Sequence, residues 1–168
     1  MMKIEQLFVK YNYDKGRSGY GIDFIIIHDT GNTQKGATAY NQYLYFNGGD
    51  RGRSAHYFVD DNGVIQIVRD EDVAWHCGTN NPPVIDGKKV LNRNTIGIEI
   101  CVNEDGDYFK AVQNAITLTK MLMAKYGIPK SHVLRHYDVS KKICPQSMSG
   151  YNGQNYTWIL WSWYKKQL

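Results

Sequence analysis

Apolar and polar residues cluster and alternate along this chain in patterns that mark out strands and helices in turn. The first clear element runs from Ile22 to His28, where Phe24 to Ile27 form an unbroken apolar run of strand-forming residues. That is the pattern of a strand covered on both faces, and His28 stands at its C-terminal end. Between Ala37 and Asn47, Tyr40, Tyr43, Leu44 and Asn47 recur at helical spacing before Gly48-Gly49, which predicts a short amphipathic helix with a glycine stop. Ala55 to Val59 and Val64 to Val68 are strand-rich runs joined by Asp60-Asp61-Asn62-Gly63, a turn signal that predicts a hairpin with His56 and Phe58 on one face.

Thr95 to Val102 alternates, so that Ile96, Ile98 and Ile100 point one way while Thr95, Gly97, Glu99 and Cys101 point the other. A carboxylate therefore sits inside an otherwise core-like strand. The longest periodic segment, Val112 to Tyr126, carries Val112, Ala115, Ile116, Thr119, Leu122, Met123 and Tyr126 on one helical stripe and stops at Gly127. A short run at Val133 to Arg135 leads into His136, and Tyr156 to Lys166 reads as a closing helix that buries Trp158 and Trp161. Strands interleaved with helices, with one antiparallel hairpin among them, predict an α/β protein: a central mixed β-sheet flanked by helices. No internal repeat, linker or low-complexity tract interrupts residues 1–168, so a single domain is expected.

Composition narrows the class. With 42% hydrophobic residues, 13 Tyr and only 4 Pro, the chain has the make-up of a packed globular protein. No run approaches the roughly 18 apolar residues of a membrane span, and the start, MMKIEQLFVKYNYDKG, lacks the apolar core of a signal peptide. Membrane insertion is not expected, and synthesis in the cytoplasm is. Cys77, Cys101 and Cys144 are odd in number and show no disulfide spacing, so at least one thiol is free or metal-bound. A net charge of +4 without any basic run does not indicate nucleic acid as a partner.

Ligands of open sheets collect at the carboxyl ends of strands, and His28 and His136 occupy two such ends. Cys144 follows His136 in a loop, HYDVSKKIC, long enough to fold back beside them. Two imidazoles and a thiolate suit zinc, and three protein ligands leave a fourth position open for catalysis. Spacing alone leaves metal ligation and ordinary polar or core roles both open.

Five blocks add to that reading: IIIHDTGN at Ile25 to Asn32, SAHYFVDDNG at Ser54 to Gly63, AWHCG at Ala74 to Gly78, NTIGIEI at Asn94 to Ile100, and RHYDVSKKICP at Arg135 to Pro145. In this order they resemble the zinc-dependent N-acetylmuramoyl-L-alanine amidases of the type-2 amidase family, found in phage endolysins and bacterial autolysins. The fold of that family is similar to that of peptidoglycan recognition proteins. The resemblance implies one Zn2+ held by His28, His136 and Cys144, and cleavage of the amide between N-acetylmuramic acid and L-alanine in bacterial peptidoglycan. It also implies Glu99 as general base, Lys142 as stabiliser of the oxyanion, and His56 and His76 as cleft residues that contact the muramyl peptide. Some phage members place a catalytic tyrosine where this chain has Ala55, so the base role falls on Glu99.

The alternative on the same fold is a peptidoglycan-binding module without catalysis, and a zinc hydrolase of another amide would use the same groups. A monomer without a visible wall-binding domain is expected, reaching the wall by assisted release. Asp138 reads as a cap or as support for a ligand, Asn94 as a turn former, Cys77 and Cys101 as reduced structural thiols, and His132 as a surface histidine.

Overall fold

The computed structural model describes residues 3–168; Met1 and Met2, the first residues of the expected domain, lie outside the described residues. In chain order the strands are β1 (Ile4–Gln6), β2 (Tyr13–Asp14), β3 (Phe24–Asp29), β4 (Tyr57–Val59), β5 (Val64–Gln66), β6 (Val73–Ala74), β7 (Val84–Ile85), β8 (Lys88–Lys89), β9 (Thr95–Ile100) and β10 (Val133–Arg135). The helices are α1 (Ala39–Asn47), α2 (Tyr108–Tyr126), α3 (His136–Ser140) and α4 (Ile159–Gln167). Six strands form the central sheet in the order β1-β5-β4-β9-β3-β10. All its pairings are parallel except the β4–β5 hairpin, so the sheet is mixed, as the sequence pattern predicts.

The apolar run of β3 is explained by its place. It lies between β9 and β10, and Phe24, Ile25, Ile26 and Ile27 are all 0% exposed. Full burial of each such side chain is worth about 1.5–3 kcal/mol. Ile25 and Ile27 join Ile96, Ile98 and Ile100 of β9 against the buried stripe of α2 and against Trp161 and Tyr164 of α4. Phe24 and Ile26 face the other way, with Leu134 and Val139. Phe58 and Ile65 share that second side with Ala39 and Phe46 of α1. The alternation read from β9 therefore separates the two faces as expected.

Helix α2 starts earlier than the periodic stripe, at Tyr108, and is capped by Asp107, whose side chain accepts the Lys110 N–H at 3.0 Å. It ends at Gly127, where φ is +66°, a conformation that glycine adopts without strain.

Three expectations are corrected. Helix α1 does not bury the predicted stripe: Tyr40 and Leu44 are 51% and 48% exposed, while Ala39 and Phe46 are buried. Aromatic residues at Tyr40, Tyr43, Tyr45 and Phe46 blur any polar face, and the packing of Phe46 on Phe58 sets the rotation. The last helix begins at Ile159, because Tyr156 is held in a bridge to Tyr151 and Trp158 adopts φ +52°. Trp158 is half-buried, with the Arg135 guanidinium 4.2 Å from its ring, while Trp161 is buried as expected. His132 is not a surface residue: it is buried, stacked on Phe24, and bonded to Asp86 and to the Asp23 carbonyl. No helix among the described residues is long and apolar enough to cross a membrane.

Candidate metal centre

Strands β9, β3 and β10 lie side by side and parallel, so their carboxyl ends open at one edge of the sheet. Register then places the chemistry. His28 of β3 is the Cα partner of Glu99 of β9. Arg135 of β10 is the partner of Ile27, so His136, one residue further on, emerges beside His28. The two imidazole rings lie 4.7 Å apart between centroids.

Cys144 returns to this point because α3 is short. Lys141, at φ +65°, ends the helix, and the Tyr137 N–H donates to the Cys144 carbonyl at 3.0 Å. Asp138 takes the capping role: its carboxylate accepts the Arg135 backbone N–H at 2.8 Å and pairs with the Arg135 guanidinium.

One donor atom each from His28, His136 and Cys144 lies within 4.8 Å of the others, and all three residues are buried. Cys144 Sγ is 3.7 Å from His28 Nδ1, and His136 Nδ1 is buried with no hydrogen-bond partner among the described residues. Burial of an unpaired polar atom costs about 1–3 kcal/mol, so an orphan here fits a donor set made for a cation. The electrostatics agree. Burial, followed by the charges of His76, His136 and Lys142, lowers His28 well below the usual imidazole value. Burial and Lys142 lower His136 to about 4. Both rings are therefore neutral at pH 7, the form that ligates a metal. Burial first, then the nearby Glu99, pushes the Cys144 thiol up to about 12. Ionising that thiol at neutral pH requires a cation beside it.

Glu99 stands at the edge of this cluster, its Oε1 3.9 Å from His28 Nδ1 and its Oε2 buried without a partner among the described residues. Burial and then Asp29 raise its pKa to about 8, against the opposing pull of Lys142 and Arg53. Glu99 and the exposed Lys142 line a cleft of about 450 Å³ together with Asp29, Asn41, Arg53 and Phe58. A larger hollow of about 810 Å³ lies between the β1–β5 edge and α2 and shares no residue with this cleft.

The two histidines expected to contact substrate behave differently. His56 is 0% exposed and lies beneath the site, so it offers a ligand no surface; that expectation is corrected. The Gly97 N–H donates to His56 Nδ1 at 3.0 Å, and His56 Nε2 lies 2.9 Å from Arg17 Nη2 and 3.3 Å from the Asp72 carbonyl oxygen. Burial and that guanidinium push His56 down to about 3. His76 is half-buried, with Nδ1 3.0 Å from His28 Nε2 and Nε2 2.9 Å from Thr95 Oγ1.

Cys77 and Cys101 are free, buried thiols, and burial pushes both up. Asn94 shapes the approach to β9 by bonding the Leu91 N–H and the Lys89 carbonyl. Arg17, Asp29 and Arg53 are not among the residues that the sequence pattern singles out. Asp29 had a signal, a charge ending an apolar run; the two arginines lie in irregular segments that carry none.

Comparison with known proteins supplies the family. Residues 18–147 match the family described as N-acetylmuramoyl-L-alanine amidase. The chain is 37% identical over 154 residues to the N-acetylmuramoyl-L-alanine amidase CwlL of Bacillus licheniformis, covering 86% of this chain and 42% of that protein. Among solved structures it is similar to a mutant endolysin from Bacillus subtilis, with a TM-score of 0.82 and 34% identity over 99% of both chains. The catalytic domain of XlyA gives a TM-score of 0.79 and 34% identity over 98% of both chains. The chain spans about half the length of the curated relatives it matches. With a family match over most of its length and relatives above one-third identity, the chain belongs to the N-acetylmuramoyl-L-alanine amidase family.

Proposed function

We propose that this chain is a zinc-dependent catalytic unit that hydrolyses the amide between N-acetylmuramic acid and L-alanine in bacterial peptidoglycan. The observation that carries this reading is the convergence of His28, His136 and Cys144 beside a partnerless carboxylate oxygen of Glu99. Two neutral imidazoles and a thiolate form a donor set of the kind that catalytic zinc uses, with a position left for water or substrate. Zinc held there would polarise the scissile carbonyl and make water a competent nucleophile near neutral pH.

The chain's own residues divide the remaining work. Glu99 Oε2, which no protein group engages among the described residues, accepts the proton of the attacking water. A pKa of about 8, drawn downward by a cation at the neighbouring donors, poises the carboxyl to take that proton and return it to the leaving amine. Lys142, across the same cleft, supplies fixed positive charge to the carbonyl oxygen as negative charge builds on it. Asn41 and Arg53 line the approach and are available to the stem peptide.

The test is digestion of purified peptidoglycan by metal-loaded, chelator-stripped and zinc-restored protein, with mass spectrometry of what is released. Stem peptides beginning with L-alanine, freed only when zinc is present, are the expected products. Binding to the wall without release would make the chain a recognition module. Release of fragments cut at a different amide would retain the hydrolase and refute the bond assigned here.

A further inference from the structure

A metal ligand is only as good as its tautomer. An imidazole that offers Nδ1 to a cation must carry its proton on Nε2, and something must hold it there. The atom of His28 that faces Cys144 Sγ, at 3.7 Å, is Nδ1. On its other side, His28 Nε2 is 3.0 Å from His76 Nδ1. His76 Nε2 is in turn 2.9 Å from Thr95 Oγ1, and that hydroxyl is 3.2 Å from the Asn92 carbonyl. Thr95 is 0% exposed, so its hydroxyl has to find its partners within the protein.

Protons can run along this row in two directions. In one, Thr95 donates to the Asn92 carbonyl and accepts from His76 Nε2, and His76 Nδ1 accepts from His28 Nε2. Every proton then meets an acceptor within 3.2 Å. In the other, Thr95 donates to His76, His76 donates to His28, and the proton of His28 is forced onto Nδ1. There its nearest acceptors are a thiol sulfur at 3.7 Å, a weak acceptor, and a carboxylate oxygen at 3.9 Å, beyond good hydrogen-bond distance. The first direction is better satisfied, and it leaves the Nδ1 lone pair free.

We propose that His76 is a positioning residue which, anchored by Thr95, holds His28 as the Nε2–H tautomer with its Nδ1 lone pair directed at the metal centre. The inference rests on reading His28, His136 and Cys144 as metal ligands. It gives His76 work other than substrate contact, since both its ring nitrogens are engaged. Gly97 is part of the device, because the His76 ring lies across it: a Cβ at position 97 would stand 2.7–2.9 Å from three ring atoms.

Two measurements test this. The first is zinc affinity, by competition with a chromophoric chelator, for the wild type and for Thr95→Val, Thr95→Ser, His76→Ala and His76→Gln, each checked for folding by circular dichroism. Thr95→Val and His76→Ala are expected to lose on the order of 10- to 100-fold in affinity. Thr95→Ser keeps the hydroxyl, and His76→Gln keeps one acceptor and one donor, so both should remain within about threefold of wild type. The second is the nitrogen-15 spectrum of the His28 ring in chelator-treated wild type, where the proton is expected on Nε2. Affinities equal across all four variants, or a proton found on His28 Nδ1, would overturn the proposal. A wild type that takes up no zinc removes the metal centre itself. The ring spectrum then decides the tautomer alone, with a proton on Nε2 upholding the relay and one on Nδ1 ending it.

Discussion

Replacing Gly97 by alanine tests the fold and the site together. Position 97 lies in the middle of β9 and has no positive φ, so its backbone accepts any residue. Judged by strand propensity alone, alanine should be neutral or better by about 0.5–1 kcal/mol. Sterics predict the opposite. The new Cβ would meet Cγ, Nδ1 and Cδ2 of His76 at 2.7, 2.8 and 2.9 Å, so the ring has to retreat by about 0.5–0.7 Å to reach ordinary contact. It cannot do so freely, since hydrogen bonds of 3.0 and 2.9 Å tie it to His28 and Thr95. Overpacking costs about 1–3 kcal/mol and each weakened bond up to about 1 kcal/mol. Set against the propensity gain, the middle of these ranges gives a net loss of about 2 kcal/mol, or a fall in Tm of roughly 4–8 °C for a chain of this size. Thermal and urea unfolding of Gly97→Ala, His76→Ala and the double variant give the cycle. In the His76→Ala background the clash is gone, so adding Gly97→Ala should cost nothing. A loss below about 0.5 kcal/mol in the wild-type background, or an equal loss in both, would refute the contact and the argument built on it.

Further outcomes follow from the remaining groups. Glu99→Gln should keep bound zinc and lower kcat on peptidoglycan by on the order of 100-fold or more; near-normal turnover would remove Glu99 as base. Lys142→Ala should lower kcat by about 100-fold with little change in KM, and a change confined to KM would show that this lysine only binds substrate. His56 has a folded pKa of about 3 against 6.5 unfolded, so as pH falls below 6.5 the unfolded chain takes up a proton that the folded chain refuses. Stability is then lost at up to about 1.4 kcal/mol per pH unit between pH 6.5 and 3. Urea midpoints measured from pH 7 to pH 4 should show a slope smaller by one proton in His56→Gln; identical slopes would mean that His56 does not carry this acid sensitivity.

The elements that sequence reasoning places well are those whose signal is local. Phe24 to Ile27 is apolar because both faces of β3 are covered, and the periodic run from Val112 to Tyr126, stopped by Gly127, can hardly be anything but a helix, α2. The convergence of His28, His136 and Cys144 was also legible, since the three combine ligand chemistry with strand ends and a returning loop. Failures occur where the environment decides. Nothing in the string of aromatic residues from Tyr40 to Phe46 says which of them meets Phe58. His56 and His76 look alike as histidines in short blocks. One is sealed under β9 beside Arg17, and the other spans β9 and β3. That distinction depends on packing between segments 19 to 48 residues apart, which no local pattern encodes.

Register is the physical link between fold and chemistry here. His28 and Glu99 are neighbours because β3 and β9 pair Phe24 with Thr95 and keep step for six residues. Gly97, in the same run, pairs with Ile26, which places the gap under His76 two residues before the carboxylate. A slip of one residue would turn Glu99 into the apolar core and bring Ile98 or Ile100 to the cleft, reversing every side chain of the strand. The isoleucines at positions 96, 98 and 100, all 0% exposed, oppose that slip, since each would lose its buried face. The hydrophobic alternation that holds the sheet together is thus also what holds Glu99 beside His28. Substitutions that weaken Ile98 should therefore lower stability first and activity only with it, whereas those at Thr95 or His76 should separate the two.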